Sequence, residues 1–141
     1  MNKLPIGLKH QQLFASVLGD HADERFDAGE RLFFAGQPAD HALYITEGRV
    51  LVHVTNELGM TVEIAQRGAG DLIGEMSLVT GVRCAEVSAL EDVTAVRVSH
   101  AEMVQLANSR PDFALALYSL ATERLYEANR LLARTSKSTQ N

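Results

Sequence analysis

The chain has 141 residues, 46% of them hydrophobic and 22% charged, which is long and apolar enough to bury a core and excludes a disordered or fibrous class. Eighteen acidic against thirteen basic side chains leave a net charge of −5. The nearest basic cluster, Arg124, Arg130, Arg134 and Lys137, is interleaved with Glu123 and Glu127, so direct nucleic-acid binding is not expected.

From the amino end, residues 7–18 (GLKHQQLFASVL) fit a helix. Turn signals then recur at Gly29, Gly36, Gly48, Asn56 to Gly59, Arg67 to Gly70, Gly81 and Glu91-Asp92. Between them lie ERLFFAG, HALYITEG, RVLVHVT, TVEIAQR, AEVSAL and TAVRVS, short runs rich in β-branched residues with a period near two. Leu72-Ile73 adds a brief further strand. The pattern predicts a mainly β fold with flanking helices: an eight-stranded antiparallel, jelly-roll-like β-roll over 23–99. Ser99 is placed to cap a helix from His100 to Asn108, and Ser109-Arg110-Pro111 opens another that ends near 134. The expected organisation is one domain over 1–135, with C-terminal helices across 100–134 and a polar tail at 136–141.

Cys84 is the lone cysteine, which excludes an internal disulfide and a thiolate zinc cage and suits a reducing compartment. With no apolar run of signal-peptide or membrane-span length, a cytoplasmic protein without membrane insertion is expected. His10, His21, His41, His53 and His100 lack metal-site spacing, and the histidine cluster of a metal-dependent cupin is missing, so no metal, cofactor, catalytic residue or enzyme activity is expected.

GDLIGEMSLVTGVRCAEVSA, residues 70–89, departs from the alternating pattern. Gly74 lets the backbone come close to a neighbour, and Met76 to Val79 has room for one helical turn whose N–H groups would welcome an anion. Arg83 offers a planar fork of donors matched to two phosphate oxygens, while the small residues Cys84 and Ala85 leave their backbone N–H groups reachable. Glu75 is an acceptor and suits a hydroxyl near that phosphate, as on a ribose. An acid for a sugar hydroxyl and a base for a phosphate fit a nucleotide whose phosphate and sugar are held close together. The plain alternative is a surface ion pair between Glu75 and Arg83.

These residues resemble the cyclic nucleotide-binding domain family, that of the catabolite activator protein, cyclic-nucleotide-dependent kinases and gated channels. The likeness runs from FDAGERLFFAGQPADHALYITEGRVLVHV through IGEMSLVTGVRCAEVSA to the closing helices. The family's phosphate-binding cassette reads close to F-G-E-x-A-L, a loop, then P-R-x-A. Here Ile73 to Leu78 and Arg83-Cys84-Ala85 take those places, so the cassette spans 73–85. The resemblance implies that Gly74, Glu75, Met76, Ser77, Arg83, Cys84 and Ala85 hold the ligand, Glu75 at the ribose 2′-hydroxyl and Arg83 at the cyclic phosphate. This chain departs in a shorter loop between Glu75 and Arg83 and in Val82 where the family has proline. Cys84 offers only a weak donor where a threonine would favour guanine, so cAMP is placed ahead of cGMP.

On the last helix Tyr118, Ala121, Leu125, Ala128 and Leu132 recur at spacings that suit helix-on-helix packing, with Leu117, Leu120, Arg124 and Leu131 forming an adjacent line that can face the roll. The first line covers either this chain's own core or a second copy. By the resemblance this helix lids the base and forms a homodimer, with Arg124, Tyr126 and Asn129 as candidate base contacts. The expected function is a stand-alone sensor that passes cyclic nucleotide occupancy through its C-terminal helices to an unidentified effector or second subunit. A single-domain member of the family, without a helix-turn-helix, is expected. The rival is a degenerate roll that serves as a dimerisation or docking module without ligand. Since Arg83 and Glu75 are assigned to the ligand and not to the core, substituting either is expected to leave the stability of the unliganded protein nearly unchanged.

Overall fold

A computed structural model describes residues 5–19 and 21–140, with side chains over 10–19 and 21–134. Residues 1–4 of the expected domain and Asn141 of the expected tail lie outside the described residues. Eight strands form two four-stranded antiparallel sheets. The first orders β1 (Glu24–Phe26), β8 (Val93–Ser99), β3 (His41–Glu47) and β6 (Leu72–Ile73); the second orders β2 (Arg31–Phe33), β7 (Glu86–Ala89), β4 (Arg49–Thr55) and β5 (Thr61–Gly68). Of these, β1 is absent from the runs read in the sequence, because three residues, two of them charged, carry no alternation to detect.

Helix α1 (Pro5–Leu18) begins before the expected start at 7. A single turn, α2 (Ser77–Thr80), occupies the place foreseen between Met76 and Val79. Helix α3 (His100–Ser109) starts on a capping box: the Ser99 hydroxyl accepts from the Glu102 N–H and the Glu102 carboxylate accepts from the Ser99 N–H. Helix α4 (Pro111–Gln140) continues beyond the expected end near 134, which corrects the polar tail: TSKSTQ extends the helix backbone. Serine and threonine are weak helix formers and the run has no apolar period, so neither propensity nor periodicity signalled the extension.

Strand β3 shows why the fold has two cores. Its side chains alternate between sheet faces, and both faces are buried. Leu43 and Ile45 point between the sheets to meet Phe33, Val50, Ile73 and Val87. Ala42 and Tyr44 point the other way, where Phe14, Met103, Phe113 and Leu120 from the helices cover them. The helices are thus fastened to the first sheet, and the carboxyl half of α4 passes across the mouth of the roll beside the second.

Candidate functional site

Gly74 sits near the start of the cassette with φ +81, a left-handed conformation that glycine adopts without strain. A Cβ there would stand 2.6 Å from the Phe33 ring and 2.7 Å from Arg83 Nη1, so the site needs glycine for space as well as for conformation.

The close approach exists because Arg83 is folded inward and is only 4% exposed. Its guanidinium carbon lies 3.6 Å from the centre of the Phe33 ring. Nη1 donates to the Gly74 carbonyl at 3.1 Å and Nη2 to the His41 carbonyl at 2.6 Å. Burial pulls the guanidinium pKa below the ordinary arginine value, Asp40 opposes that shift, and Arg97 adds to it. An arginine keeps its charge near neutrality regardless. The fork has five N–H donors, of which the two carbonyls take two, so a charged group is held rigidly with donors left over. This corrects the expectation that Arg83 is free of the core: it is packed against an aromatic wall and is part of the structure of the cassette.

Glu75 does not pair with Arg83. It pairs with Arg124 of α4, whose Nη1 stands 2.8 Å from Oε1 and 2.9 Å from Oε2. The two side chains are 9% and 12% exposed respectively, so this is a nearly buried ion pair joining the cassette to the helix. Arg124 Nε is buried without a partner. A buried N–H in that condition is costly unless something else accepts it.

Both groups open onto one cavity of about 340 Å³ between the second sheet, the cassette and α4. Its floor is apolar, with Phe33, Val52, Ile73 and Val87, and this size and mixture suit a small molecule. A wider depression of about 730 Å³ runs along α3, but every residue lining it is exposed. The smaller cavity is the candidate site because buried charges converge on it.

Gly74, Glu75, Met76, Ser77, Arg83, Cys84 and Ala85 all line this cavity, as does Arg124. Tyr126 and Asn129 do not. Tyr126 is 64% exposed with its ring near Arg130, and Asn129 is also exposed. At about 100° per residue the face of α4 that carries Arg124 also carries Glu127, Ala128 and Leu131, and positions 126 and 129 fall well round the helix. Sequence inspection missed Arg67 and Glu127, which meet across the cavity wall with Nη2 of Arg67 2.9 Å from Oε1 of Glu127. Sixty positions separate them, and no local signal links them. Of the first seam, Tyr118, Leu125 and Leu132 lie outward at 70%, 61% and 66% exposed, whereas Ala128 lines the cavity, and Leu120 of the second line is buried in the helix core.

Fold and site together define a β-roll with a charged, partly apolar cavity of small-molecule size bounded on one side by α4. Residues 23–110 match the family model of the cyclic nucleotide-binding domain, and the chain belongs to that family. It is 30% identical over 107 residues to Pycsar effector protein XpPycTIR of Xanthomonas perforans, a match covering 74% of this chain and 34% of that protein. It is 30% identical over 105 residues to the Cyclic AMP receptor protein of Thermus thermophilus, covering 74% of this chain and 49% of the relative. Among solved structures, the Thermus thermophilus catabolite activator protein has a TM-score of 0.74 at 27% identity, over 91% of this chain and 59% of that one. The chain thus spans about a third to a half of the length of these curated relatives.

Proposed function

We propose that this chain is a cyclic nucleotide sensor, for cAMP ahead of cGMP, that passes occupancy on through α4. The observation that carries it is the convergence of the held Arg83 guanidinium and the Glu75 carboxylate on one apolar cavity. In this scheme the cyclic phosphate takes the remaining donors of Arg83, and the ribose hydroxyl donates to Glu75. A carboxylate has about four lone-pair sites, so Glu75 can hold Arg124 and a hydroxyl together. The unpartnered Nε–H of Arg124 is the further donor available to the ligand. Because Glu75 is shared between the ligand and α4, a change at the sugar is transmitted to the helix through an ion pair, not through a loop.

The preference for cAMP rests on Cys84, whose thiol is a weak donor for a guanine, and it agrees with the name of the Thermus thermophilus relative. The module would be non-catalytic. Among the described residues no helix is long and apolar enough to cross a membrane, and the lone cysteine suits the cytoplasm. Titration calorimetry with cAMP, cGMP and AMP tests the function directly. Both cyclic compounds should bind, cAMP more tightly, and raise the melting temperature by mass action, while the open and more highly charged phosphate of AMP binds far less. If saturating cAMP and cGMP give neither heat nor a shift in melting, the sensor fails and the ligandless docking module replaces it.

The output surface is the outward stripe of Tyr118, Leu125 and Leu132, proposed as the seam of a homodimer. Analytical ultracentrifugation should find a dimer that becomes a monomer in Leu125→Gln/Leu132→Gln. An unaltered protein that sediments as a monomer at high concentration, with and without cAMP, removes the seam from the scheme.

A further inference from the structure

Five charged side chains line the cavity: Arg67, Glu75, Arg83, Arg124 and Glu127. Three are accounted for at the phosphate and sugar. Arg67 of β5 and Glu127 of α4 remain, and they face each other as a two-pronged pair, with Nη2 to Oε1 at 2.9 Å and Nη1 to Oε2 at 3.5 Å. Glu127 is half exposed, so as a fastening between helix and sheet the pair contributes little. Its position on a cavity wall otherwise made of groups such as Val52, Ala65 and Leu131 asks for another role.

We infer that Arg67 and Glu127 together read the edge of the base and favour a purine that carries a 6-amino group over one that lacks it; this rests on the cyclic nucleotide function proposed above. When a guanidinium and a carboxylate meet through both prongs, each still has bonding capacity on its outer side. Arg67 keeps an outward N–H, and the neighbouring oxygen of Glu127 keeps a lone pair. The two heavy atoms are 2.9 Å apart, which places a donor beside an acceptor much as the side-chain amide of Asn or Gln does when it reads adenine. Adenine answers that pattern on either edge, because its amino group lies between two ring nitrogens that accept. Guanine presents two acceptors, O6 and N7, on one edge, where O6 would face the carboxylate, and it matches only through the other. The pair therefore discriminates on the exocyclic amino group through Glu127 and on a ring nitrogen through Arg67.

The test compares cAMP with the 3′,5′-cyclic phosphate of purine riboside, which lacks the amino group but keeps the ring nitrogens. Calorimetric titration of the unaltered chain should show cAMP binding about tenfold more tightly, the effect of one hydrogen bond to a charged acceptor. In Glu127→Leu that preference should vanish because cAMP weakens, while the compound without the amino group binds within about twofold of its former affinity. In Arg67→Met both compounds should weaken together, since both carry the ring nitrogen. Melting curves without ligand verify that the variants are folded. Equal weakening of both compounds in Glu127→Leu would mean that the pair is only a strut, and an unaltered chain that does not distinguish the two compounds would also overturn the proposal. An unaltered chain that binds no cyclic nucleotide at all is a different result, because it removes the proposed function and the base reader with it.

Discussion

Arg83→Leu is expected to lose cyclic nucleotide binding by about thirtyfold to a thousandfold, on the order of 2–4 kcal/mol, because the phosphate would be left without its charged partner in a site shielded from water. The same substitution should also weaken the protein without ligand. Arg83 is 4% exposed, and its removal orphans the carbonyls of Gly74 and His41 and strips the Phe33 ring of the cation lying on it. Lost hydrogen bonds and a desolvated cation–π contact together are worth about 2–3 kcal/mol, a fall in melting temperature on the order of 10 °C. Arg83→Lys should recover part of the affinity and less of the stability, since a single ammonium cannot span two carbonyls and still present a fork to phosphate. Calorimetry well below the melting point, together with thermal denaturation, separates the two effects. Unchanged cAMP affinity in Arg83→Leu would show that the residue is purely structural, and Arg124, with its unpartnered Nε, would become the phosphate ligand to test.

Arg124→Met is expected to lower stability by about 2 kcal/mol, because it leaves the nearly buried Glu75 carboxylate with no counter-charge. Cyclic nucleotide affinity should fall about tenfold in parallel, since the carboxylate that accepts from the sugar loses the group that orients it. The discriminating variant is Glu75→Gln/Arg124→Met. A neutral amide needs no partner cation, so the double variant should be more stable than Arg124→Met alone by about 1 kcal/mol, the coupling expected of side chains in direct contact. Thermal denaturation of the two single variants and the double variant gives that cycle. If Arg124→Met changes neither stability nor affinity, or if the double variant is no more stable, the ion pair does not join the cassette to α4. Occupancy would then have to reach the seam by another route.

The turn glycines and the alternation between them were enough to place seven of the eight strands, because each depends on a few neighbouring residues. Ser99, and Ser109-Arg110-Pro111, marked where two helices begin for the same local reason. The cassette could also be recognised, since Gly74, Glu75 and Arg83 are close in the chain and their chemistry has few other uses in that combination. What Glu75 and Arg83 do within the fold was a different matter. Their partners are Arg124, 49 positions away, and the carbonyl of His41, 42 positions away, and nothing in a local pattern connects such residues. The face of α4 was equally undecided: its 30 residues carry two apolar lines, and a helical period cannot say which of them meets the roll. Packing decided it, burying Leu120, setting Arg124, Glu127, Ala128 and Leu131 toward the cavity, and leaving Tyr126 and Asn129 in solvent. The sequence by itself determined the roll, its capped helices and the chemistry of the cassette. Only the tertiary structure decided which charges meet, because an ion pair between distant residues exists only where the folded backbone brings them within reach and withdraws them from water.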